Sequence, residues 1–485
     1  MKGAILVTGT ASDAGKSVMV AAICRWLKRQ GVSVAPFKAQ NMSLNSTVTP
    51  GGAEIGRAQA MQAAACGIEP EAAMNPVLIK PSGNRRSQVL VMGKPYANAT
   101  ARSYQELKHE LKAPVLEALN DLRARFDVVV CEGAGSPAEI NLRAGDLANM
   151  GLARAANLPV LVIGDIDRGG VFPSLFGTLA LLEPEDQALI AGFLSHKFRG
   201  DPSILQPGLE MLHNLTGRDT YGVLPWLDGP FIDAEDSLAL RQEHTTPGTL
   251  DVAVIRLRWM SNFTDVDALA AEPGVSVRYT RSPADVERAD LVVLPGTKAT
   301  VEDLARLRAE GLDVALQRRE GPILGICGGY QMLGHRIEDG VESTDSATGL
   351  GLLDVNTTFQ QEKLLRQVTG TVFGLPATGY EIRHGRVDRD EPLIQQRDVL
   401  GTAWHGLLEG DAVRRALLTW VANRTDRDWT PGTRAFADVR EAHLDRLADW
   451  FGAHVDAPAL TDLIISGAPE GLPTIPPGGT ACSVF

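Results

Sequence analysis

Short, mostly apolar runs recur along the chain, many of them followed by a glycine-bearing polar loop and then a stretch with helical spacing. In the first half the runs lie at 5–7, 32–37, 126–130, 158–163, 189–194 and 221–224. In the second half they lie at 251–257, 275–279, 291–294 and 323–326. Runs this short, with no alternation of polar residues, predict strands covered on both faces. Helical periodicity appears at 18–27, 103–122, 300–307 and 434–451, with Ser103 and Glu106 spaced as a capping box. Helical periodicity also begins at Glu54. Strand and helix in alternation predict doubly wound α/β folding with parallel sheets. The polar stretch 241–250, carrying Pro247 and Gly248, predicts a break. The chain therefore divides into 1–240 and 250–452, because 485 residues exceed one ordinary core. Residues 350–400 read as strand-rich, and the Gly- and Pro-rich stretch 466–485 as a disordered tail.

Charge narrows the partners. A formal net charge of -12 argues against nucleic acid or an anionic membrane. An anionic substrate would have to meet a local cluster of arginines and lysines. The five cysteines are scattered without a CxxC pair, which fits a reducing cytoplasm and offers no metal site. The apolar run at 4–7 is too short for a secretory signal, and no run approaches membrane-spanning length. A cytoplasmic enzyme is expected, its oligomeric state open.

Two loops carry chemistry. Gly325-Ile-Cys327-Gly-Gly329 follows a buried strand and precedes a helix, the spacing of a nucleophile elbow in which only small neighbours fit. A buried structural cysteine is the bland alternative; the flanking glycines favour a nucleophile. A thiolate needs a base, and either His405 or His384 can supply it. The N–H groups of Gly296 and Gly328 are the expected oxyanion donors. The other loop, Gly9-Thr-Ala-Ser-Asp-Ala-Gly-Lys-Ser17, joins a strand to a helix as a phosphate-binding loop does. Thr10, Asp13, Ala14, Gly15, Lys16 and Ser17, with Lys38, are the expected ATP-binding residues. Ser17 and Glu132, at the end of a second buried strand, are the expected Mg²⁺ ligands, with Glu54 a further candidate. The amide-rich run after residue 37 lies where open sheets bind ligands. Gln40, Asn41 and Asn45, with Arg168, are the candidate substrate contacts.

The run Gly325-Ile-Cys-Gly-Gly-Tyr-Gln331-Met-Leu-Gly334 resembles the nucleophile motif of class I glutamine amidotransferases. The first half resembles the dethiobiotin synthetase type of phosphate-loop enzyme, whose loop also carries one extra residue. Their order, together with Pro36-Phe-Lys-Ala-Gln-Asn-Met-Ser-Leu-Asn45, Asp165-Ile-Asp-Arg-Gly-Gly170 and Lys197-Phe-Arg-Gly-Asp201, is similar to the cobyric acid synthase family from about residue 3 to 450. That resemblance implies ATP- and glutamine-dependent amidation of an anionic corrinoid. The b, d, e and g carboxylates of adenosylcobyrinic acid a,c-diamide would be activated as acyl phosphates. Glutamine would be hydrolysed at Cys327 with His405 as its partner. Synthesis of the a,c-diamide itself, a phosphate-loop amidotransferase acting on a different polycarboxylate, and a regulatory ATPase with a degenerate amidotransferase module are the competing readings. His196 stands where the family usually has Asn, and Arg383 where it usually has His. Leu407 stands where many amidotransferases carry the triad glutamate, which leaves Glu381 and Glu409 as candidate orienters of His405.

Overall fold

The computed structural model describes residues 1–82, 86–227, 233, 249–343 and 345–476. Its first sheet is six-stranded. Across it run Asp219–Pro225, Ile190–Phe198, Val160–Asp165, Gly3–Gly9, Val128–Glu132 and Val34–Phe37, all parallel. Ile5, Leu6, Val7 and Val128, Val129, Val130 have no exposed surface, so neither face of the sheet meets water. This accounts for the lack of alternation in the apolar runs. The strand ends carry the functional loops on one edge, as in other doubly wound sheets.

The second sheet orders Val275–Thr280, Leu250–Ile255, Leu291–Leu294, Ile323–Ile326, Val399–Thr402 and Ile394–Gln396, the last antiparallel to its neighbour. The strand-rich region is a long antiparallel hairpin, Asn356–Val372 with Leu375–Val387, leaning on the first half of the chain.

Three expectations shift. The helix read over 103–122 spans Ala101–Arg125, and its box is Thr100 with Ser103 rather than Ser103 with Glu106. Thr100 has the extended backbone a cap requires, whereas Ser103 lies inside the first turn. Glu54 starts no helix: Glu54–Gly56 is a short strand and the helix is Arg57–Cys66.

The third concerns the C-terminus. The helix read over 434–451 forms as Phe436–His454, but it packs on Lys16–Arg29 of the first unit, with Leu444, Leu447 and Phe451 in that unit's core. Arg25 bonds Asp445 at 2.7 Å and Glu441 at 2.6 Å across this contact. A further helix, Ala457–Ser466, follows against the same core, and residues 467–476 are docked rather than disordered. There Gln187 exchanges two hydrogen bonds of 2.7 Å with the backbone of Ile475. The proposed break at 241–248 and the tail from 477 lie outside the described residues.

Candidate functional site

Cys327 ends the strand Ile323–Ile326 with φ 49° and ψ −106°, and Gly328–Leu333 begins immediately after it. Its N–H donates to Thr402 O at 2.8 Å, which holds this backbone against its strain. Gly329 can only be glycine, since a Cβ there would stand 1.9 Å from Leu294 O. The elbow is thus set by the neighbouring strand. A Cβ on Gly328 would lie 3.0 Å from Thr297 N, and one on Gly296 3.0 Å from His405 Cε1. The two expected oxyanion donors therefore sit on adjoining loops beside the sulfur.

His405 is buried, with Nδ1 2.7 Å from Asp265 Oδ2, while Gly406 N–H donates to Asp265 Oδ1 at 2.8 Å. With Nδ1 committed to the carboxylate, Nε2 is the nitrogen that faces the Cys327 sulfur. Burial works against a charged ring, yet Asp265 and then the sulfur outweigh it and raise His405 to about 10. Tyr380 stacks on the ring at 5.6 Å and exchanges backbone hydrogen bonds with it. Cys327, His405 and Asp265 thus stand in the order of a nucleophile–base–acid triad, with Asp265 holding His405 Nδ1.

Asp265 was not among the orienters expected. It sits in the short buried 3-10 helix Phe263–Val266, 140 residues before His405, and no spacing rule links the two. Glu409 instead receives Arg57 at 2.5 Å and Arg440 at 3.1 Å. Glu381 receives Arg383 and Arg366, each at 2.5 Å. His384 is committed to Gln360 O at 3.0 Å, and burial pushes its ring down to about 4. It lines the same small cavity as Cys327 and His405, where the sulfur lies 3.9 Å from Ile382 O and interacts with the His405 ring.

At the other end, Gly15 adopts φ 99° and caps Lys16–Arg29. Ser17 Oγ and Lys38 Nζ both donate to Glu132 Oε1 at 2.7 Å, and Gln62 Nε2 donates to Oε2 at 2.6 Å. Lys16 Nζ donates to Ala11 O at 2.9 Å within the loop. Thr10 N–H is taken by Ile163 O. Arg168 bonds Asp13 at 2.6 Å, and Lys197 bonds Asp13 O at 3.0 Å and Asp165 at 2.8 Å. His196 lies under the loop with Nδ1 3.0 Å from Ala14 O, and burial lowers it to about 4. A carboxylate and a hydroxyl sharing one spot suit Mg²⁺, which takes few protein oxygens and completes its shell with water and phosphate.

Glu54 belongs elsewhere. It is fully buried, with Oε1 2.6 Å from Lys80 Nζ and Oε2 2.5 Å from Lys363 Nζ. Burial opposes its charge, but Lys363 and Lys80 hold it well below the usual carboxylate range. Its oxygens join the two halves of the chain, so the metal role expected of it is not what the geometry offers. Of the candidate substrate residues, Gln40 receives Tyr104 OH at 2.6 Å and Asn41 donates to Gln59 at 2.8 Å. Asn45 accepts from Thr264 across the seam at 3.2 Å.

The seam joins the two sites. Asn262 Nδ2 donates to Ser46 O at 2.8 Å and to Tyr380 OH at 3.1 Å. The helix Arg57–Cys66 holds Glu409, four residues past His405, through Arg57, and holds Glu132 through Gln62. Gln62 and Arg57 are contacts that sequence reading passed over, since isolated polar residues on a helix carry no motif.

Residues 251–413 match the family model of a CobB/CobQ-like glutamine amidotransferase domain, and 5–235 that of a CobQ/CobB/MinD/ParA nucleotide binding domain. Among curated proteins, a cobyric acid synthase of Streptomyces coelicolor is 57% identical over 502 residues, spanning 99% of this chain and 100% of its own. One of Frankia casuarinae is 55% identical over 525 residues, with the same coverage. One of Rhodococcus jostii is 55% identical over 500 residues, spanning 98% of each chain.

Proposed function

The chain belongs to the cobyric acid synthase family, and from that membership we propose how its residues divide an ATP- and glutamine-dependent amidation. The substrate is adenosylcobyrinic acid a,c-diamide, amidated at b, d, e and g. The observation that carries the reading is one chain holding a thiol triad and a phosphate loop, joined by a single buried helix.

Cys327 attacks the glutamine carboxamide, with the Gly296 and Gly328 N–H groups receiving the oxyanion. His405, kept protonated by Asp265, offers a counter-charge to the thiolate and then its proton to the departing ammonia. Water later releases glutamate from the thioester. Ammonia cannot expel oxide from a carboxylate, so a phosphate leaving group is required at the corrinoid. Lys16 and Lys38 offset the charge on the transferred phosphoryl group. Ser17 and Glu132 would hold Mg²⁺, which supplies electrostatic stabilisation there. Asp13, Ala14 and Gly15 complete the cradle, Arg168 orders it through Asp13, and Thr10, whose N–H is taken by Ile163 O, can offer only its hydroxyl.

Amidation assayed with glutamine and with ammonium separates the two ends. Cys327→Ala should lose glutamine-driven activity and keep ammonium-driven activity. Lys16→Ala should lose both. Normal use of glutamine by the first variant, or normal amidation by the second, refutes the corresponding assignment. Mass analysis of the product distinguishes amidation at b, d, e and g from formation of the a,c-diamide.

A further inference from the structure

An open cleft of about 680 Å³ lies between the two halves, with residues 42–45 on one wall and 256–263 with 279–281 on the other. Three arginines reach it: Arg256 and Arg258 beyond the strand Leu250–Ile255, and Arg281 beyond the parallel neighbour Val275–Thr280. Both strands bring their C-terminal ends here, the edge at which open sheets take ligands. The Arg256 guanidinium meets no carboxylate among the described residues, and Arg281 has only Glu310, at 3.9 Å. Cations gathered in one cleft repel one another, and on a chain of net charge -12 their clustering favours an anion between them. Between them Met42, which is 60% exposed, and the half-buried Tyr279 offer apolar surface, with Phe263 buried behind.

We propose that this cleft docks the corrinoid, the macrocycle lying on the apolar walls while Arg256, Arg258 and Arg281 hold carboxylates at its rim. The inference rests on the function proposed above and assigns a place to the substrate. Planar guanidinium forks match carboxylates in pairs, and a cleft of this size takes a large ligand rather than glutamine. The first wall follows Lys38 by only four to seven residues, so a docked ring can present its edge towards Lys38 and Glu132. A substrate amidated at several positions must turn between cycles. Three similar cations in an open cleft tolerate that turning better than one closed pocket.

The test uses the full chain and measures KM for adenosylcobyrinic acid a,c-diamide with ammonium as the nitrogen source, alongside binding of the corrinoid by quenching of tryptophan emission. The Arg256→Ala/Arg281→Ala pair should raise corrinoid KM at least about tenfold, with KM for ATP within about twofold. The Arg256→Lys/Arg281→Lys pair should recover part of the loss. Corrinoid KM and binding within about twofold of wild type in the alanine pair overturn the proposal, as does a lysine pair no better than alanine. A wild-type protein that binds the corrinoid but leaves it unamidated refutes the proposed function instead. The binding measurement still decides the cleft in that case.

Discussion

The thiol end and the phosphate end of this molecule are built on opposite plans. At the thiol end every group that must be aimed is locked by a neighbour: Cys327 by Thr402 O, His405 by Asp265 and Tyr380, and Asp265 by the Gly406 N–H. At the phosphate end the ligand-binding groups are satisfied by one another, with Lys16 on a loop carbonyl and Lys38 and Ser17 on Glu132. The difference follows from the chemistry. A covalent nucleophile gains from geometry fixed beforehand, whereas cations that receive a polyphosphate need interim partners that a stronger anion displaces.

The sharpest way to break that contrast is at Asp265. Asp265→Asn should lower glutamine-driven amidation about 10³-fold by losing the tautomer and charge it imposes, with ammonium-driven amidation unchanged. Equal loss with both nitrogen sources would mean that Asp265 serves the fold rather than the thiol. Next in size, Glu132→Gln should depress both reactions about 10²-fold, since it removes the acid that organises Ser17, Lys38 and Gln62. A loss confined to glutamine would contradict the division of labour.

Between the ends lies Arg57, buried against Asp233 at 2.8 Å and Glu409 at 2.5 Å. Removing one member of such a cluster strands the others, so Arg57→Met should destabilise the chain by about 3 kcal/mol, read from denaturant unfolding. Among molecules that remain folded, the glutamine-driven rate should fall more than the ammonium-driven one, because Glu409 shares a turn with His405. An unchanged ratio would limit Arg57 to stability.

These residues also show what a sequence can and cannot disclose. The apolar runs became strands within a residue or two at most ends, the exception being 189–194, whose strand runs on to Phe198. Cys327 and Lys16 were legible because their backbones need glycines at set positions, and glycine spacing is a local signal. Asp265 was not legible: a single acid outside any motif is common, and only the fold brings it to His405. Glu381 and Glu409 lay closer along the chain, but Glu381 is consumed by arginines of its own hairpin and Glu409 by Arg57 and Arg440 from distant segments. The helix Phe436–His454 was found as an element yet assigned to the wrong unit, since periodicity reveals an apolar face without naming what covers it.

A smaller effect separates the ends by pH. His405 is raised from its ordinary 6.5 to about 10, so its ion pair contributes stability that is fully present below about 6.5 and lost as pH rises through about 10. The melting temperature should therefore fall between pH 7 and 10, and Asp265→Asn should flatten that fall. A slope identical in the variant would place its origin elsewhere.

The smallest expected change tests the phosphate end's tolerance. His196 presses on Gly15, where an added Cβ would stand 2.2 Å from Nδ1, and its bond to Ala14 O needs only one neutral donor. With the ring pushed down to about 4 by burial, no charge is at stake near neutral pH. An asparagine amide offers the same donor from a shorter side chain. His196→Asn should then leave KM for ATP within about threefold, with a stability cost near 1 kcal/mol from the lost ring contact with Trp450. A tenfold change in KM for ATP, with GTP unaffected, would show that the imidazole reads the base rather than props the loop.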